Sequence, residues 1–278
     1  MGRWLARFLK NKGFEVAIHG RSHEKTAQAA RELGVNHIKS LDVLKDFDMV
    51  IVSTSLSSTT ETVRAAGVMM KAGAILFDVA SVKGEVVGAL EEARKRGVRA
   101  ISVHPMFGPG ADTLSGKHVV AIPVGDDARL VDEVLGLFEG AETHVLSSGE
   151  THDAMVALTL SLPHFLNIVF GKTLESSDIK EVLKLAGTTF TLQLAVAEAV
   201  LSEDPDLYYE IQSQNEVFGK VLDVFIESAR HVASAVKNKD RETFVKSFKK
   251  ARAALAKDPN YVDAYRNFYR AYDAVTKK

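Results

Sequence analysis

The sequence predicts a doubly wound α/β domain, built on a parallel sheet, followed by an all-α domain. Three observations carry this expectation. Helical and strand patterns alternate through the first half, as they do when helices connect parallel strands. Short, largely apolar runs, Met49-Val50-Ile51-Val52, Ala74-Ile75-Leu76-Phe77 and Ala100-Ile101-Ser102-Val103, read as buried strands. After about Ser148 the strand patterns stop and helical stripes continue to the end of the chain. The expected boundaries are 1–148 and 149–278, with no low-complexity linker between them.

The elements follow in order. Leu5, Phe8 and Leu9 mark one face of a first helix, closed by Asn11-Lys12-Gly13. Glu15 to His19 reads as a short strand, Thr26 to Leu33 as a helix and Asp48 to Ser53 as a buried strand. The run from Ala74 to Ala80 enters the turn Ser81-Val82-Lys83-Gly84. The run 100–103 should end at His104-Pro105, because proline cannot donate to a ladder. Further strands are expected near Val119 to Pro123 and Thr143 to Leu146. In the second half Val217, Phe218, Val221, Leu222, Phe225, Ala229 and Val232 recur at helical spacing, and Phe244, Phe248, Ala251 and Leu255 repeat the pattern.

Composition narrows the function. With 278 residues, 46% hydrophobic and 26% charged, the chain suits a globular protein of two domains. A net charge of -1 gives no reason to expect nucleic acid or an anionic membrane as partner. The absence of cysteine excludes disulfides and thiolate chemistry and suits a cytoplasmic setting. No uninterrupted apolar run reaches the ~18–20 residues that span a bilayer, and the first ten residues lack the pattern of a signal peptide. No close-spaced His/Asp/Glu cluster is visible, so no metal is expected.

The opening residues, Met1 to Leu9 and then a strand, have the pattern found just after the last glycine of a GxGxxG dinucleotide loop. Gly2 would be that glycine, permitting close packing of helix on strand. On this reading the first strand and the earlier glycines are not in the chain. The neighbouring strands would then have open edges, so the sheet should close up, borrow a strand or bind dinucleotide poorly. The second strand ends Ile18-His19-Gly20-Arg21-Ser22. Gly20 stands where NAD-binding folds usually carry a carboxylate, and Arg21 and Ser22 suit a 2′-phosphate. NADP is therefore the expected cofactor, with NAD possible; Ser53 and Thr54, at the end of the 48–53 strand, complete the expected cofactor contacts.

Two strand ends offer His104, Ser81 and Lys83 to one crevice, where open α/β sheets bind ligands. Together with His104-Pro105-Met106-Phe107-Gly108-Pro109, Thr151-His152-Asp153 and Ser161-Leu162-Pro163-His164, in this order, the chain resembles the prephenate dehydrogenase family. The resemblance implies oxidative decarboxylation of prephenate or arogenate in tyrosine biosynthesis, and a homodimer through the helical domain. It gives His104 the role of the base that takes the ring hydroxyl proton, which suits a group titrating near neutrality. It makes Ser81 a second catalytic group, and Lys83, His152 and His164 substrate contacts. His152 and His164, 12 residues apart, would share a face of an unbroken helix, which Pro163 could interrupt. No fused chorismate mutase segment is expected.

One position departs from the family pattern. An arginine commonly precedes the Asp204-Pro205 equivalent and grips a carboxylate; here that position is Ala199, and 188–201 holds no cation. An unpaired carboxylate in a closed site costs several kcal/mol. Ala199 and the missing glycines leave open a catalytically impaired relative that acts as a ligand-binding or regulatory dimer. A 3-hydroxyacid-type dehydrogenase, normally reliant on a lysine in its helical part, is a weaker option.

Overall fold

A computed structural model describes residues 1–277. The chain forms two compact units, Met1–Val156 and Ala157–Lys278. The first begins with helix α1 (Gly2–Asn11), strand β1 (Ala17–Ile18), α2 (His23–Leu33) and β2 (Asn36–His37). A 3-10 turn (Leu41–Asp46) leads to β3 (Met49–Val52), α3 (Leu56–Met69), β4 (Ile75–Asp78), α4 (Val86–Lys95) and β5 (Arg99–Pro105). Then come β6 (His118–Pro123), α5 (Ala128–Gly136), β7 (Glu142–Val145) and α6 (Gly149–Val156).

The main sheet has the order β3-β4-β5-β6-β7. Side chains alternate across it, as the strand period of two requires. Leu76 and Ala100 point into a core with Val63, Ala66, Ala89 and Leu90 of α3 and α4. Ile75, Phe77, Ile101 and Val103 point the other way, into Leu5 of α1 and Leu130 and Val134 of α5. Helices on both faces bury β4 fully and β5 almost fully, whereas β3 is mostly half-buried and β7 is exposed. Helices α3 and α4 approach closely at Gly67, where a Cβ would lie 2.6 Å from the Ala93 methyl.

Three features differ from the expected sheet. The pairing of β5 with β6 is antiparallel, so the sheet is parallel only from β3 to β5 and again from β6 to β7. Strand β5 does not stop at His104 but continues through Pro105, opposite Val119. The proline is tolerated because β4 pairs only as far as Ser102. On the other side, the Met106 amide bonds to the His118 carbonyl, which makes Pro105 and Val119 a pair that exchanges no hydrogen bonds. Finally, β1 and the unforeseen β2 form a separate two-stranded parallel sheet. Among the described residues no strand pairs with the outer side of β3, so the sheet has not closed up.

The second unit opens with a π-helical turn (Ala157–Ser161) and continues with α7 (Leu162–Leu174), α8 (Ile179–Leu183), α9 (Thr188–Leu201) and α10 (Pro205–Ser213). It ends with α11 (Phe218–Lys237), α12 (Arg241–Leu255), a 3-10 turn (Pro259–Asp263) and α13 (Ala264–Thr276). Helix α7 packs on α9, α11 on α12 and α13 on α9. The expected stripe of α12 is present but uncovered: Phe248 and Leu255 are 55% and 66% exposed. The helical run Gly149–Leu174 is long and apolar enough by composition to cross a membrane, although charged residues interrupt it in the sequence. It nevertheless carries His152 and Asp153, both buried and hydrogen-bonded within the first unit.

Candidate active site

The carboxyl ends of β4 and β5 and the first turns of α6 converge on a buried polar cluster. Asp78, the last residue of β4, is fully buried, with one carboxylate oxygen accepting from the Ala80 amide at 2.8 Å and from Lys83 Nζ at 2.8 Å. Its other oxygen accepts from Ser102 Oγ at 2.5 Å. The Lys83 ammonium also donates to the Val103 carbonyl at 2.7 Å. Burial lowers the Lys83 pKa, and the charge of Asp78 partly offsets this. A buried charge persists only when paired and hydrogen-bonded, and this one is both.

Lys83 therefore stands differently from expectation. The Lys83 side chain is wholly enclosed and its ammonium is committed to Asp78 and Val103, so it is a brace between β4 and β5 and not a substrate contact. Ser81 lies on the turn after β4, half-buried and two residues before Lys83.

A second carboxylate starts a relay. Asp153 accepts from the backbone amides of Lys83 (2.9 and 3.1 Å to its two oxygens) and Gly84 (3.0 Å). His152 Nδ1 lies 2.7 Å from Asp153 Oδ1, and His104 Nδ1 lies 2.9 Å from His152 Nε2. The carboxylate can only accept, which places a proton on His152 Nδ1 and leaves Nε2 an acceptor. His104 must then donate from Nδ1, and its Nε2 carries a lone pair with no partner among the described residues. Burial, reinforced by His152 and Lys83, holds the His104 pKa well below its ordinary value. Burial lowers His152 too, against the pull of Asp153. The unit thus presents a neutral imidazole with one free, oriented basic nitrogen. Two surface cavities of the same unit, about 460 and 530 Å³, are lined by residues of the 107–117 loop and, in the second, also by Trp4 and Phe8 of α1 and by Glu139 and Gly140, and not by His104.

His152, expected to touch substrate, is 1% exposed and occupied at both ring nitrogens; it orients His104. His164 lies on α7 in the second unit, beyond the π turn that follows α6. Within the second unit His164 packs edge-on against Tyr208 at 4.5 Å. Burial lowers its pKa to about 4. Its Nδ1 and the Ser161 hydroxyl are buried without partners. Two orphaned polar atoms three residues apart on neighbouring turns mark a place where a polar ligand or water would be held. Ala199, on α9, is exposed, and that helix carries no cation.

Of the expected cofactor residues, Gly20, Arg21 and Ser22 follow β1, Ser53 and Thr54 follow β3, and Gly2 opens α1. A Cβ on Gly20 would lie 2.7 Å from Thr26 Oγ1, and that hydroxyl is held by the Ser22 carbonyl at 2.7 Å; the missing carboxylate has no room. The Arg21 guanidinium is exposed with no partner among the described residues. Ser22 caps α2 by accepting from the Lys25 amide, which leaves its O–H free to donate. Gly2 packs against Ser53, but a Cβ there would meet Ser53 at 3.5 Å, an ordinary contact. Glycine is not demanded at that position by packing, contrary to expectation. Thr54 Oγ1 is tied to Thr59 at 3.1 Å, at the start of α3.

Asp78, Ser102, Asp153 and Ser161 are not among the site residues expected from the sequence. A carboxylate closing the apolar run Ile75-Leu76-Phe77-Asp78 was the available signal, since an acid is rarely buried unpaired. The adjacency of His152 and Asp153 was another.

Comparison with known proteins agrees with this architecture. Residues 5–147 match the model of the prephenate dehydrogenase nucleotide-binding domain, and 148–250 that of the prephenate dehydrogenase dimerization domain. A probable arogenate/prephenate dehydrogenase of Methanocaldococcus jannaschii is 34% identical over 258 residues, covering 90% of this chain and 58% of the relative. A T-protein of Haemophilus influenzae is 25% identical, covering 91% of this chain and 63% of its own length. The chain thus spans about three fifths of these relatives. Among solved structures, prephenate dehydrogenase from Aquifex aeolicus, in complex with hydroxyphenyl propionate and NAD+, superimposes with a TM-score of 0.72 at 22% identity, covering 92% of this chain and 94% of that one. Synechocystis arogenate dehydrogenase gives 0.68 at 19% identity, covering 92% and 95%. With both domain models matched in order across most of its length, the chain belongs to the prephenate dehydrogenase family.

Proposed function

We propose that this protein catalyses the oxidative decarboxylation of prephenate or arogenate with hydride transfer to a nicotinamide dinucleotide, preferentially NADP, in tyrosine biosynthesis. The observation that carries the reading is the Asp153–His152–His104 relay, which leaves His104 Nε2 as an oriented, uncharged acceptor. A ring hydroxyl placed on that nitrogen loses its proton to His104 as its carbon becomes carbonyl-like. The carbon–carboxylate bond opposite then breaks, its electron pair aromatises the ring, and carbon dioxide leaves. The dinucleotide, when bound, supplies the hydride acceptor. Ser81 is proposed to orient the same hydroxyl, and His164 with Ser161 to hold polar groups of the substrate.

The cofactor residues fit a phosphorylated ribose. Gly20 removes the carboxylate that would repel a 2′-phosphate, and Arg21 offers an uncommitted guanidinium fork beside the Ser22 hydroxyl. Gly2, Ser53 and Thr54 would lie along the rest of the dinucleotide. The aligned relative from Aquifex was crystallised with NAD+, so both cofactors belong in the assay. We place the enzyme in the cytoplasm as a homodimer joined through its helical domain, as the name of the matched family model suggests, with a small-molecule substrate and neither nucleic acid nor membrane as partner. Initial rates with prephenate and arogenate, each with NAD and NADP, test the proposal. Turnover of at least one substrate, with NADP favoured, is expected; no reduced nicotinamide in any combination would overturn it.

A further inference from the structure

The outer edge of the main sheet carries a second constellation, unrelated to the relay. Strands β6 and β7 pair in parallel with His118 opposite Glu142 and Val120 opposite His144. Because side chains alternate along a strand, Glu142 and His144 fall on one face of β7, the face that His118 occupies on β6. His118 Nδ1 lies 3.0 Å from His144 Nε2 and 3.7 Å from the Glu142 carboxylate. One potential ligand atom from each residue lies within 4.8 Å of the others, and all three residues are exposed.

We propose that His118, Glu142 and His144 form a binding site for a divalent first-row transition cation of the zinc, cobalt or nickel type. Two imidazoles and a carboxylate are a donor set that such ions take, whereas calcium and magnesium prefer all-oxygen shells. Ligand atoms at ~2.0–2.1 Å from a tetrahedral ion stand about 3.3 Å apart. The observed 3.0 and 3.7 Å straddle that figure, so small side-chain rotations close the site. Without an ion, the facing nitrogens must share a proton between them; a cation replaces it and adds the carboxylate. The exposed side of the site leaves the remaining coordination positions to water. Binding would pin β7, an edge strand with every residue exposed, to its neighbour β6. The linear sequence conceals the site because residues 118 and 142–144 are brought together only by strand pairing.

The test is titration of the full chain with Co²⁺, followed by visible absorption, and with Zn²⁺ by equilibrium dialysis and elemental analysis. One equivalent with micromolar affinity and a Co²⁺ band of nitrogen/oxygen ligation are expected, with no competition from a thousandfold excess of Mg²⁺. His144→Ala, His118→Ala and Glu142→Gln should each weaken binding at least tenfold, while His231→Ala, on exposed α11, should not. The three altered residues are exposed, so the variants should retain the far-ultraviolet circular dichroism of the parent. No saturation below millimolar Zn²⁺ would overturn the proposal. So would binding that survives the three substitutions or is lost in His231→Ala, since the ion would then sit elsewhere.

Discussion

Replacing Asp153 with asparagine tests the relay more sharply than removing the base itself, because it changes only what one atom can donate or accept. Asp153 receives three donors: His152 Nδ1 and the Lys83 amide at one oxygen, the Lys83 and Gly84 amides at the other. An asparagine has one oxygen and one NH2 group. If its oxygen faces His152, its NH2 opposes the Gly84 N–H, and a buried donor without an acceptor costs about 1–3 kcal/mol. If instead its oxygen faces the backbone amides, its NH2 faces His152 Nδ1. That ring must then accept at Nδ1 and carry its proton at Nε2. His104 Nδ1, 2.9 Å away, becomes the acceptor, and the His104 proton moves to Nε2. The free lone pair proposed to take the substrate proton is gone. General-base assistance is worth ~10²–10⁴ in rate, so Asp153→Asn should lower kcat by a factor in that range with KM changed little. The assay is the initial rate of dinucleotide reduction under saturating substrate, with circular dichroism to confirm folding. A kcat within threefold of the parent would refute the tautomer argument, whatever the role of His104.

Other outcomes rest on the same geometry. His104→Asn should also lower turnover by ~10²–10⁴, and unchanged turnover would remove His104 from the chemistry. Arg21→Ala should raise the Kd for NADP far more than that for NAD, since a charge-assisted bond to the 2′-phosphate is lost; equal losses would reject the assignment, and isothermal titration reads both. Lys83→Met leaves Asp78 buried without its cation and should cost ~3–5 kcal/mol in urea unfolding, with Lys83→Met/Asp78→Leu costing less than the sum of its parts. His164 titrates at about 4 in the folded chain against ~6.5 unfolded. The unfolded state therefore binds the extra proton, so stability present above pH ~6.5 is lost as pH falls towards 4. After allowance for solvent screening this is roughly 2 kcal/mol. His164→Phe should flatten that part of the urea-midpoint profile, while His104 and His152, shifted in the same direction, keep some slope.

The strands and helices were legible wherever apolar period and turn chemistry agreed. Val50, Leu76 and Ile101 mark strands because burial on both sheet faces demands apolar side chains, and α12 was visible in Phe244, Phe248 and Leu255 although that stripe is exposed. Direction was not legible. The antiparallel return of β6 depends on the length and path of the 106–117 loop, which carries no periodic signal. The extension of β5 through Pro105 depends on which neighbour asks for a donor, and only the observed pairing answers that. The site divides along the same line. His104 stood out because a histidine at a strand end is a local feature, and its role remains a proposal. The role of Lys83 was misread because an ammonium on a turn looks solvated until its partner, Asp78, is seen at 2.8 Å. His152 was found but miscast for a related reason. Its function lies in two hydrogen bonds, one to its chain neighbour Asp153 and one to His104, 48 residues away. The local bond was readable as His-Asp; the distant one exists only because α6 brings that pair to the end of β5, where the Lys83 and Gly84 amides hold Asp153. What a sequence conceals here is not which residues are polar, but which polar atoms exhaust one another and which single nitrogen is left without a partner.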